Sequence, residues 1–309
     1  MATKQDAKRE ARCPADQKRQ RERTVRRSRA YIALVMLALV AVLGAATYAW
    51  FTNNMKVNTN SVSVHSDTSE LALELGDADT GSWSSSGDAA LSTSSPSDLT
   101  LYPVSTFDLD GFAECVQNGS SGNATYFEQA ADGEHFYHGW IDVRASVTGS
   151  GSSKVSGKVN LYLDGSLAPE GADATLLRAA RVGIKVSSGG QVLATDIFEL
   201  DGSDGGHRSE HPATVPGLAG YTDGMLLGWQ NGALACGADI KQDPISYTID
   251  TSESAGRPQN ALVTMALGQT YRLDVYYYIE GTDPDSADYL YKSAGTLNLG
   301  LFATLDGKA

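Results

Sequence analysis

The segment TYRLDVYYYIE, residues 270–280, has the side-chain pattern of a β-strand. Apolar and polar residues alternate over its first half, and its second half is rich in the aromatic and β-branched residues that strands favour. Because consecutive side chains of a strand point to opposite faces, at least one of Tyr276, Tyr277 and Tyr278 is expected to face outward. We therefore interpret this segment as one strand of a sheet.

Ten other segments carry the same signal, and clusters of Gly, Ser, Asp and Asn separate them. Helical patterns are sparse: residues 172–180 predict two helical turns, and residues 221–233 predict one short turn. About eleven strands in some 250 residues are enough for one sandwich with a sizeable core, and no fixed-period repeat is visible. The sequence therefore predicts a single all-β sandwich domain over residues 55–309. Its other strands are expected in SVSVH (61–65), LALEL (71–75), LTLYPV (99–104), WIDVRASV (140–147), KVNLYL (158–163), RVGIKV (181–186), QVLATDIFEL (191–200), ISYTID (245–250), ALVTMAL (261–267) and TLNLGLFATL (296–305).

Charge is distributed unevenly along the chain. Residues 1–30 contain eleven Lys and Arg against four Asp and Glu, a net charge of +7, whereas the rest holds 13 basic and 33 acidic residues, a net charge of −20. The following residues, 31–51, contain no charge, and as a helix they would extend over roughly 31 Å, about one bilayer core. We interpret the basic residues as a membrane flank rather than a nucleic-acid-binding arm, because this apolar run directly follows them.

Positive charge beside an apolar span stays on the cytoplasmic side, so residues 1–30 are expected inside the cell and the acidic domain outside. Cys13 then lies in the cytoplasm, and Cys115 and Cys236 lie where disulfides persist. A bridge between these two would close a loop of about 120 residues and stabilise the fold by about 4 to 5 kcal/mol. The sequence does not decide between this disulfide and two separate buried thiols.

The end of the apolar run, TYAWFTN at residues 47–53, resembles the signature that ends the signal peptide in the TasA and camelysin family of Gram-positive surface and biofilm matrix proteins. A second stretch supports the resemblance. YYYIEGTDPD, residues 276–285, followed by the last predicted strand, is similar to the C-terminal end of many surface proteins that carry this signal. Those proteins often have a cysteine after DPD, where this chain has Ser286.

The resemblance implies an exported, jelly-roll-like antiparallel β-sandwich that a dedicated signal peptidase processes. In the best-known members of the family the subunits assemble into extracellular fibres, and the N-terminal segment of one subunit adds a strand to the next. Main-chain bonding to an open sheet edge supplies the affinity for such an addition. In this chain the donated segment would carry Trp50, Phe51, Val62 and Val64 as its anchors.

Two interpretations of residues 31–51 stay open. Thr47 and Ala49 are small residues at positions −3 and −1 of a cleavage site between Ala49 and Trp50, which would release a secreted protein to the cell surface or matrix. The length of the apolar run and of its basic head instead favours a permanent transmembrane helix. An anchored segment cannot be donated to another subunit.

An HxxEH pattern at His207–His211 matches the inverted zinc-peptidase motif, which requires two histidines one turn apart on a helix. Glycines precede it and Pro212 follows it, so a helix would have to cross strong breakers at both ends. His135 and His138 stand three residues apart near a strand start, where their side chains point to opposite faces. We therefore assign no metal to either pair.

Two ligand-binding alternatives remain. Acidic loops could supply oxygen ligands to calcium, and the strongest candidates are Asp283, Asp285 and Asp288, although Asp and Gly are also ordinary turn residues. An exposed tyrosine of residues 276–278 could form a sugar platform with a tryptophan, although a sandwich core explains the same aromatic residues. The tryptophans considered for that platform are Trp83, Trp140 and Trp229.

The sequence contains no nucleotide-binding glycine loop, nucleophile elbow or cysteine metal pattern, so we assign no catalytic residue and no cofactor. We expect a non-enzymatic bacterial surface or matrix protein that associates with itself by strand addition. The alternative is a single-pass membrane protein whose outer domain binds a glycan or protein. A peptidase would instead show chelator-sensitive activity that is lost in His211→Ala.

Overall fold

The structure is a computed structural model that describes most of the chain after residue 57. The predicted basic segment (1–30) and the predicted span (31–51) lie outside the described residues, and within some strands only the backbone is described. The described residues are 58–66, 71–76, 82–85, 89–97, 99–117, 125–147, 157–167, 169–200, 218, 220, 225–238, 241–242, 246–247, 253–254, 257–258, 260–283, 286 and 294–305.

The chain divides into two units, Met1–Phe51 and Thr52–Ala309, and every described residue belongs to the second. No helix in the described part of the chain has the length and apolar character that a membrane crossing needs. Strands dominate that part. They are β1 (Asn58–Ser66), β2 (Leu71–Gly76), β3 (Trp83–Ser84), β4 (Ser92–Thr93), β5 (Pro103–Ser105), β6 (Ala113–Gln117), β7 (Thr125–Gln129), β8 (Tyr137–Val147), β9 (Lys158–Leu163), β10 (Gly165–Ser166), β11 (Ala180–Ser188), β12 (Gln191–Glu199), β13 (Met225–Gln230), β14 (Ala233–Ala238), β15 (Lys241–Gln242), β16 (Ser246–Tyr247), β17 (Glu253–Ser254), β18 (Arg257–Pro258), β19 (Ala261–Ala266), β20 (Thr270–Glu280) and β21 (Thr296–Leu305), with one short helix, α1 (Ala174–Ala179), before β11.

Two sheets form the sandwich. The larger has the central order β12-β11-β20-β8-β2, in which every neighbouring pair is antiparallel. The smaller has the order β1-β21-β9-β19, and there only the β1–β21 pair is parallel. The predicted all-β antiparallel sandwich is therefore confirmed for the described residues.

The main core lies between the two sheets, where alternate residues of each strand meet. In β2, for example, Leu71, Leu73 and Leu75 are buried and the residues between them are partly exposed. In β20 the inward set includes Leu273, Val275 and Tyr277. This period of two is the reason that the long strands could be recognised from the sequence.

The opposite face of the larger sheet is also covered. β5 continues the sheet beside the end of β20, and β6 and β7 extend from it. The chain around these strands folds back over the outer face and buries Tyr276 and Tyr278 in a second apolar cluster. The expectation that one of the three tyrosines is exposed is therefore wrong, because both faces of β20 carry a core. The cluster consists of Val104, Leu109, Phe112, Ala130, Phe136, Ile197, Tyr276 and Tyr278.

Several predicted elements match closely. The strands expected at 158–163 and 296–305 have the same bounds in the structure, as does the strand at 270–280, and the predicted helical turns correspond to α1. The prediction of a short helical turn at residues 221–233 is wrong, because part of that segment belongs to the hairpin of β13 and β14. The hairpin of β6 and β7 was not predicted at all.

Candidate functional site

The first strand, β1, lies at an edge of the smaller sheet and pairs in parallel with the last strand, β21. The pairing runs from Asn58, opposite Thr296, to Ser66, opposite Ala303. On its other side β1 has one bridge in the described part of the chain: Val62 N donates to Ala89 O at 2.9 Å, and Ala89 N donates to Val62 O at 3.1 Å. Among the described residues, β21 is the strand that pairs with β1 along its length.

The residues predicted to anchor a donated strand differ in their positions relative to this edge. Val62 is fully buried in the main core. Val64 pairs with Leu301, and only its backbone is described. Trp50 and Phe51, together with the predicted cleavage site after Ala49, lie outside the described residues.

A second feature is a pocket of about 250 Å³ on the outer face of the larger sheet. Its floor comes from three neighbouring strands, since Lys185 of β11, Tyr276 of β20 and His138 of β8 all line it. The register explains this, because Tyr276 stands opposite His138 on one side and opposite Gly183, two residues from Lys185, on the other. The remaining lining residues are Leu109, Asp110, Gly111, Phe112, Gln129, Ala130, Asp132 and Phe136.

Lys185 carries a buried ammonium group into this pocket. Its Nζ donates to the carbonyl oxygen of Leu109 at 2.8 Å and to Oδ1 of Asp110 at 2.5 Å. The Lys185 side chain is only 8% exposed, whereas that of Asp110 is 64% exposed at the rim. An ammonium group has three N–H donors, and two of them have acceptors among the described residues, so the third can bond to a ligand in the pocket.

His138 lies between two carboxylates. Its Nδ1 is 2.8 Å from Oδ1 of Asp132, and its Nε2 is 3.2 Å from Oδ1 of Asp274. A neutral imidazole donates from one nitrogen and accepts at the other, whereas a protonated ring donates from both. Burial works to raise the pKa of Asp274, but hydrogen bonds from His138 and Arg272 outweigh it and hold that pKa below its usual value.

These contacts argue against a catalytic role for His138. Ser94 Oγ lies 3.5 Å from His138 Nδ1, which suggests a nucleophile beside a base. The carboxylate of Asp132 lies closer to the same nitrogen and can only accept, so Nδ1 carries a proton toward it and has no lone pair to take the serine proton. The arrangement is suited to hydrogen bonding rather than to proton abstraction.

Aromatic rings form the apolar wall of the pocket. Phe112 and Phe136 stack with their centroids 3.8 Å apart, and Tyr276 lies 5.6 Å from Phe112. Burial and the nearby carboxylates of Asp274, Asp132 and Asp110 raise the pKa of Tyr276, so this phenol stays neutral and can donate a hydrogen bond.

A buried ionic cluster lies at the end of β20. Arg181 Nη2 is 3.0 Å from Oδ2 of Asp283 and 3.4 Å from Oε1 of Glu199. Burial would lower the pKa of Arg181, but Glu199, Glu280 and Asp283 together raise it. Burial raises the pKa of Glu280 to about 7, although Ser105 and Thr282 donate hydrogen bonds to its carboxylate. This cluster links β11, β12 and the end of β20 through buried ionic contacts.

The predicted calcium ligands are only partly described. Asp283 is buried and accepts a hydrogen bond from Arg181 at Oδ2, while Asp285 and Asp288 lie outside the described residues. No group of three or more His, Cys, Asp or Glu side chains that could hold a metal occurs among the residues that the structure describes. The HxxEH pattern at His207–His211 also lies outside them.

The structure does not assemble the predicted sugar platform. Trp83 lies under the guanidinium of Arg144 at 4.0 Å and Trp140 under that of Arg272 at 4.7 Å, and the tyrosines are buried. Trp229 lies in the β13–β14 hairpin. None of the three tyrosines is therefore exposed to form the expected platform with a tryptophan.

Cys236 is a free thiol that packs against the small cluster of Ala113 and Leu227. The side chain of Cys115 lies outside the description, so the predicted pairing of Cys115 with Cys236 stays a prediction.

Among the pocket residues, we considered from the sequence only His138, to which we assigned no metal, and Tyr276, as a candidate part of a sugar platform. One signal was present: Lys185 is a charged residue inside the apolar strand RVGIKV, and a buried charge requires a partner. Its partner Asp110 is 75 residues away, and no local pattern connects the two.

No protein-family model, no curated protein and no solved structure matches this chain.

Proposed function

We propose that this chain is a non-enzymatic, exported bacterial surface or matrix protein whose subunits link by exchanging β1. The observation that carries the proposal is the position of β1, an N-terminal edge strand that pairs with the C-terminal strand β21. The resemblance of residues 47–53 to a signal of exported matrix proteins supports the same function.

Exchange of β1 between subunits preserves the contacts that β1 makes with β21 and with the core. A second copy can place its own β1 beside β21 in the same register and bury its own Val62 in the same core position. Only residues 67–70 separate β1 from β2, and short hinge connections favour such exchange over closure within one chain. When each subunit gives β1 to one neighbour and accepts β1 from another, the contact is head-to-tail, and without closure it extends into a fibre.

Release from the membrane is a condition for exchange. If a signal peptidase cleaves between Ala49 and Trp50, about eight residues precede β1 and the strand can move to a neighbour. If residues 31–51 stay in the bilayer, β1 is tethered close to the membrane. Mass spectrometry of the N-terminal residue in protein recovered from producing cells distinguishes these states, and the proposal requires a start at Trp50.

A disulfide trap tests the exchange itself. Ser61 pairs with Asn298 across β1 and β21, and neighbouring strands lie about 4.8 Å apart, within the range that a disulfide spans. The double variant Ser61→Cys/Asn298→Cys is produced from the full chain, allowed to assemble and oxidised. We expect a ladder of linked subunits in non-reducing electrophoresis, and its bands should contain peptides joined by a disulfide between positions 61 and 298.

Two controls make the trap decisive. Each single variant, Ser61→Cys or Asn298→Cys, lacks a partner at the interface and must give no ladder. If the double variant forms the same disulfide between positions 61 and 298 but remains monomeric, β1 stays in its own subunit and the exchange is wrong.

The alternative function is a single-pass membrane protein whose outer domain binds a glycan or protein. The pocket beside Lys185 and His138 is the observation that favours it. It requires that residues 1–49 are retained in the mature chain, so the same N-terminal measurement separates it from a released matrix protein.

A further inference from the structure

We propose that the pocket on the outer face of the larger sheet binds one ring of a neutral saccharide. Its floor and rim are built from Lys185, Asp110, His138, Asp132 and Tyr276. This proposal does not depend on strand exchange, because β1 belongs to the other sheet.

The polar groups of the pocket come as adjacent donors and acceptors. Lys185 Nζ lies beside the carboxylate of Asp110, and the imidazole of His138 lies beside the carboxylate of Asp132. A sugar hydroxyl donates one hydrogen bond and accepts others, so two neighbouring hydroxyls can bond to such a carboxylate and its cation together. A ligand that only accepts hydrogen bonds would bond to the donor of each pair but not to its carboxylate. A ligand that only donates would bond to the carboxylate alone.

Charged groups of both signs line the pocket, which favours a neutral ligand. The Lys185 ammonium lies at the floor, and the carboxylates of Asp110 and Asp132 lie at the rim. A cationic ligand would meet Lys185, and an anionic ligand would meet the two carboxylates of the rim. Hydroxyl groups avoid both repulsions.

The buried position of Lys185 makes its remaining donor valuable to a ligand. The ammonium is held at the pocket floor by Leu109 and Asp110, so little side-chain entropy is lost when a ligand binds. A hydrogen bond to a buried charged group is stronger than one to an exposed neutral group. This places the acceptor oxygen of the sugar next to Lys185.

Size and shape limit the ligand to one ring. The volume of about 250 Å³ is at or below the lower end for small-molecule sites, about 300 Å³. Phe112, Phe136 and Tyr276 give the pocket an apolar wall, against which the C–H face of a sugar ring can pack. The exposed carboxylates of Asp110 and Asp132 keep the mouth open to solvent, so the ring can be one unit of a longer chain.

Saturation-transfer difference NMR on the full chain tests the proposal with methyl glucoside, methyl galactoside and N-acetylglucosamine as neutral probes. Glucosamine and glucuronate serve as the cationic and anionic probes. We expect at least one neutral sugar to bind with a Kd on the order of 1 mM, suitable for a ligand of about twelve non-hydrogen atoms. Both charged probes should bind at least about tenfold more weakly because of the repulsions described above.

Variants then locate the binding. Asp110→Asn keeps the shape of an exposed side chain and removes its charge, and Lys185→Met keeps the apolar stem and removes the donors. Each should weaken neutral-sugar binding about tenfold or more. Lys158→Met, at an exposed position on β9 of the other sheet, should leave binding unchanged and serves as the matched control.

Three results would overturn the proposal: no neutral sugar binds at tens of millimolar, a charged probe binds better than its neutral counterpart, or both pocket variants bind as the parent does. Circular dichroism of each variant shows that the fold is retained. None of these results bears on the disulfide trap, so failure of sugar binding and failure of strand exchange are distinguishable.

Discussion

The imidazole of His138 lies flat against the phenol of Tyr276, with 4.4 Å between the ring centroids and 8° between the planes. The two residues stand directly opposite each other on β8 and β20, and the contacts of His138 with Asp132 and Asp274 continue from the same ring. One side chain thus connects two central strands of the larger sheet to the turn that covers them.

We predict that His138→Ala lowers the free energy of unfolding by about 2 to 3 kcal/mol, because Asp274 is buried and loses one of its hydrogen-bond donors. Urea denaturation of the full chain at neutral pH measures the loss. His135→Ala is the matched control, since His135 contacts one carboxylate, Glu114, and both groups are more exposed. An equal loss in the two variants would show that the second carboxylate contact of His138 adds nothing to the free energy of unfolding.

Gly183 stands opposite Tyr276 on the other neighbouring strand, and Leu109 fills the space above it. A methyl group at position 183 would lie 2.5 Å from Cδ2 of Leu109, which is itself buried. We therefore expect Gly183→Ala to lower the free energy of unfolding by about 1 to 3 kcal/mol. In a double-mutant cycle, Gly183→Ala should lower the free energy of unfolding much less when Leu109 is already replaced by Ala. Strictly additive effects of the two substitutions would contradict the predicted clash.

The sequence predicted the central layers of this fold better than the outer ones. β9, β20 and β21 bury alternate residues toward the main core, so their periodicity identifies them and their bounds. The β13 and β14 segments, MLLGWQ and ALACGA, lack that alternation, because β13 buries three consecutive residues and β14 is only partly buried. Their glycines and short length resemble turn sequence, which led to the wrong assignment.

The candidate pocket could not be predicted for a related reason. His138 and Asp274 are 136 residues apart, and Lys185 and Asp110 are 75 residues apart, so only the strand order brings them together. The same holds for the three tyrosines, since the burial of Tyr276 and Tyr278 depends on a covering layer from another part of the chain. Side-chain alternation gives the face of a strand, but it does not reveal what covers that face.

Glu280 makes the stability of the fold sensitive to pH. Burial raises the pKa of Glu280 from 4.5 to about 7. The protonated carboxyl therefore contributes stability that is fully present below pH 4.5 and is lost as the pH rises through 7. Since the Oε2 atom is buried and has no hydrogen-bond partner among the described residues, the ionised group is costly to keep in the fold.

We predict that Glu280→Gln raises the free energy of unfolding at pH 8 by up to about 3 kcal/mol and has little effect at pH 4.5. Urea denaturation of both chains across this pH range measures the difference. Glu170→Gln, at an exposed position, should change stability by the same small amount at every pH. A Glu280→Gln effect that does not vary with pH would contradict the predicted titration.

Strand pairing relates Cys115 and Cys236 to the same small apolar cluster. Cys115 stands opposite Phe127 on the β6–β7 hairpin and follows Ala113 by two residues. Phe127 and Ala113 belong to the cluster on which Cys236 packs. Cys236 is a half-buried free thiol in the structure. The export that we propose would bring the pair into an environment where disulfides persist, so we predict that Cys115 and Cys236 form a bridge in protein recovered outside the cell.

Peptide mapping by mass spectrometry without reduction should detect the Cys115–Cys236 linked peptide. Because the bridge closes a long loop, Cys236→Ser should lower the free energy of unfolding by about 2 to 5 kcal/mol under oxidising conditions. Under reducing conditions the parent and the variant should differ by less than about 1 kcal/mol, since only a thiol is then replaced. Recovery of both cysteines as free thiols from the exported protein would contradict the pairing and leave Cys236 as a packing residue of the outer layer.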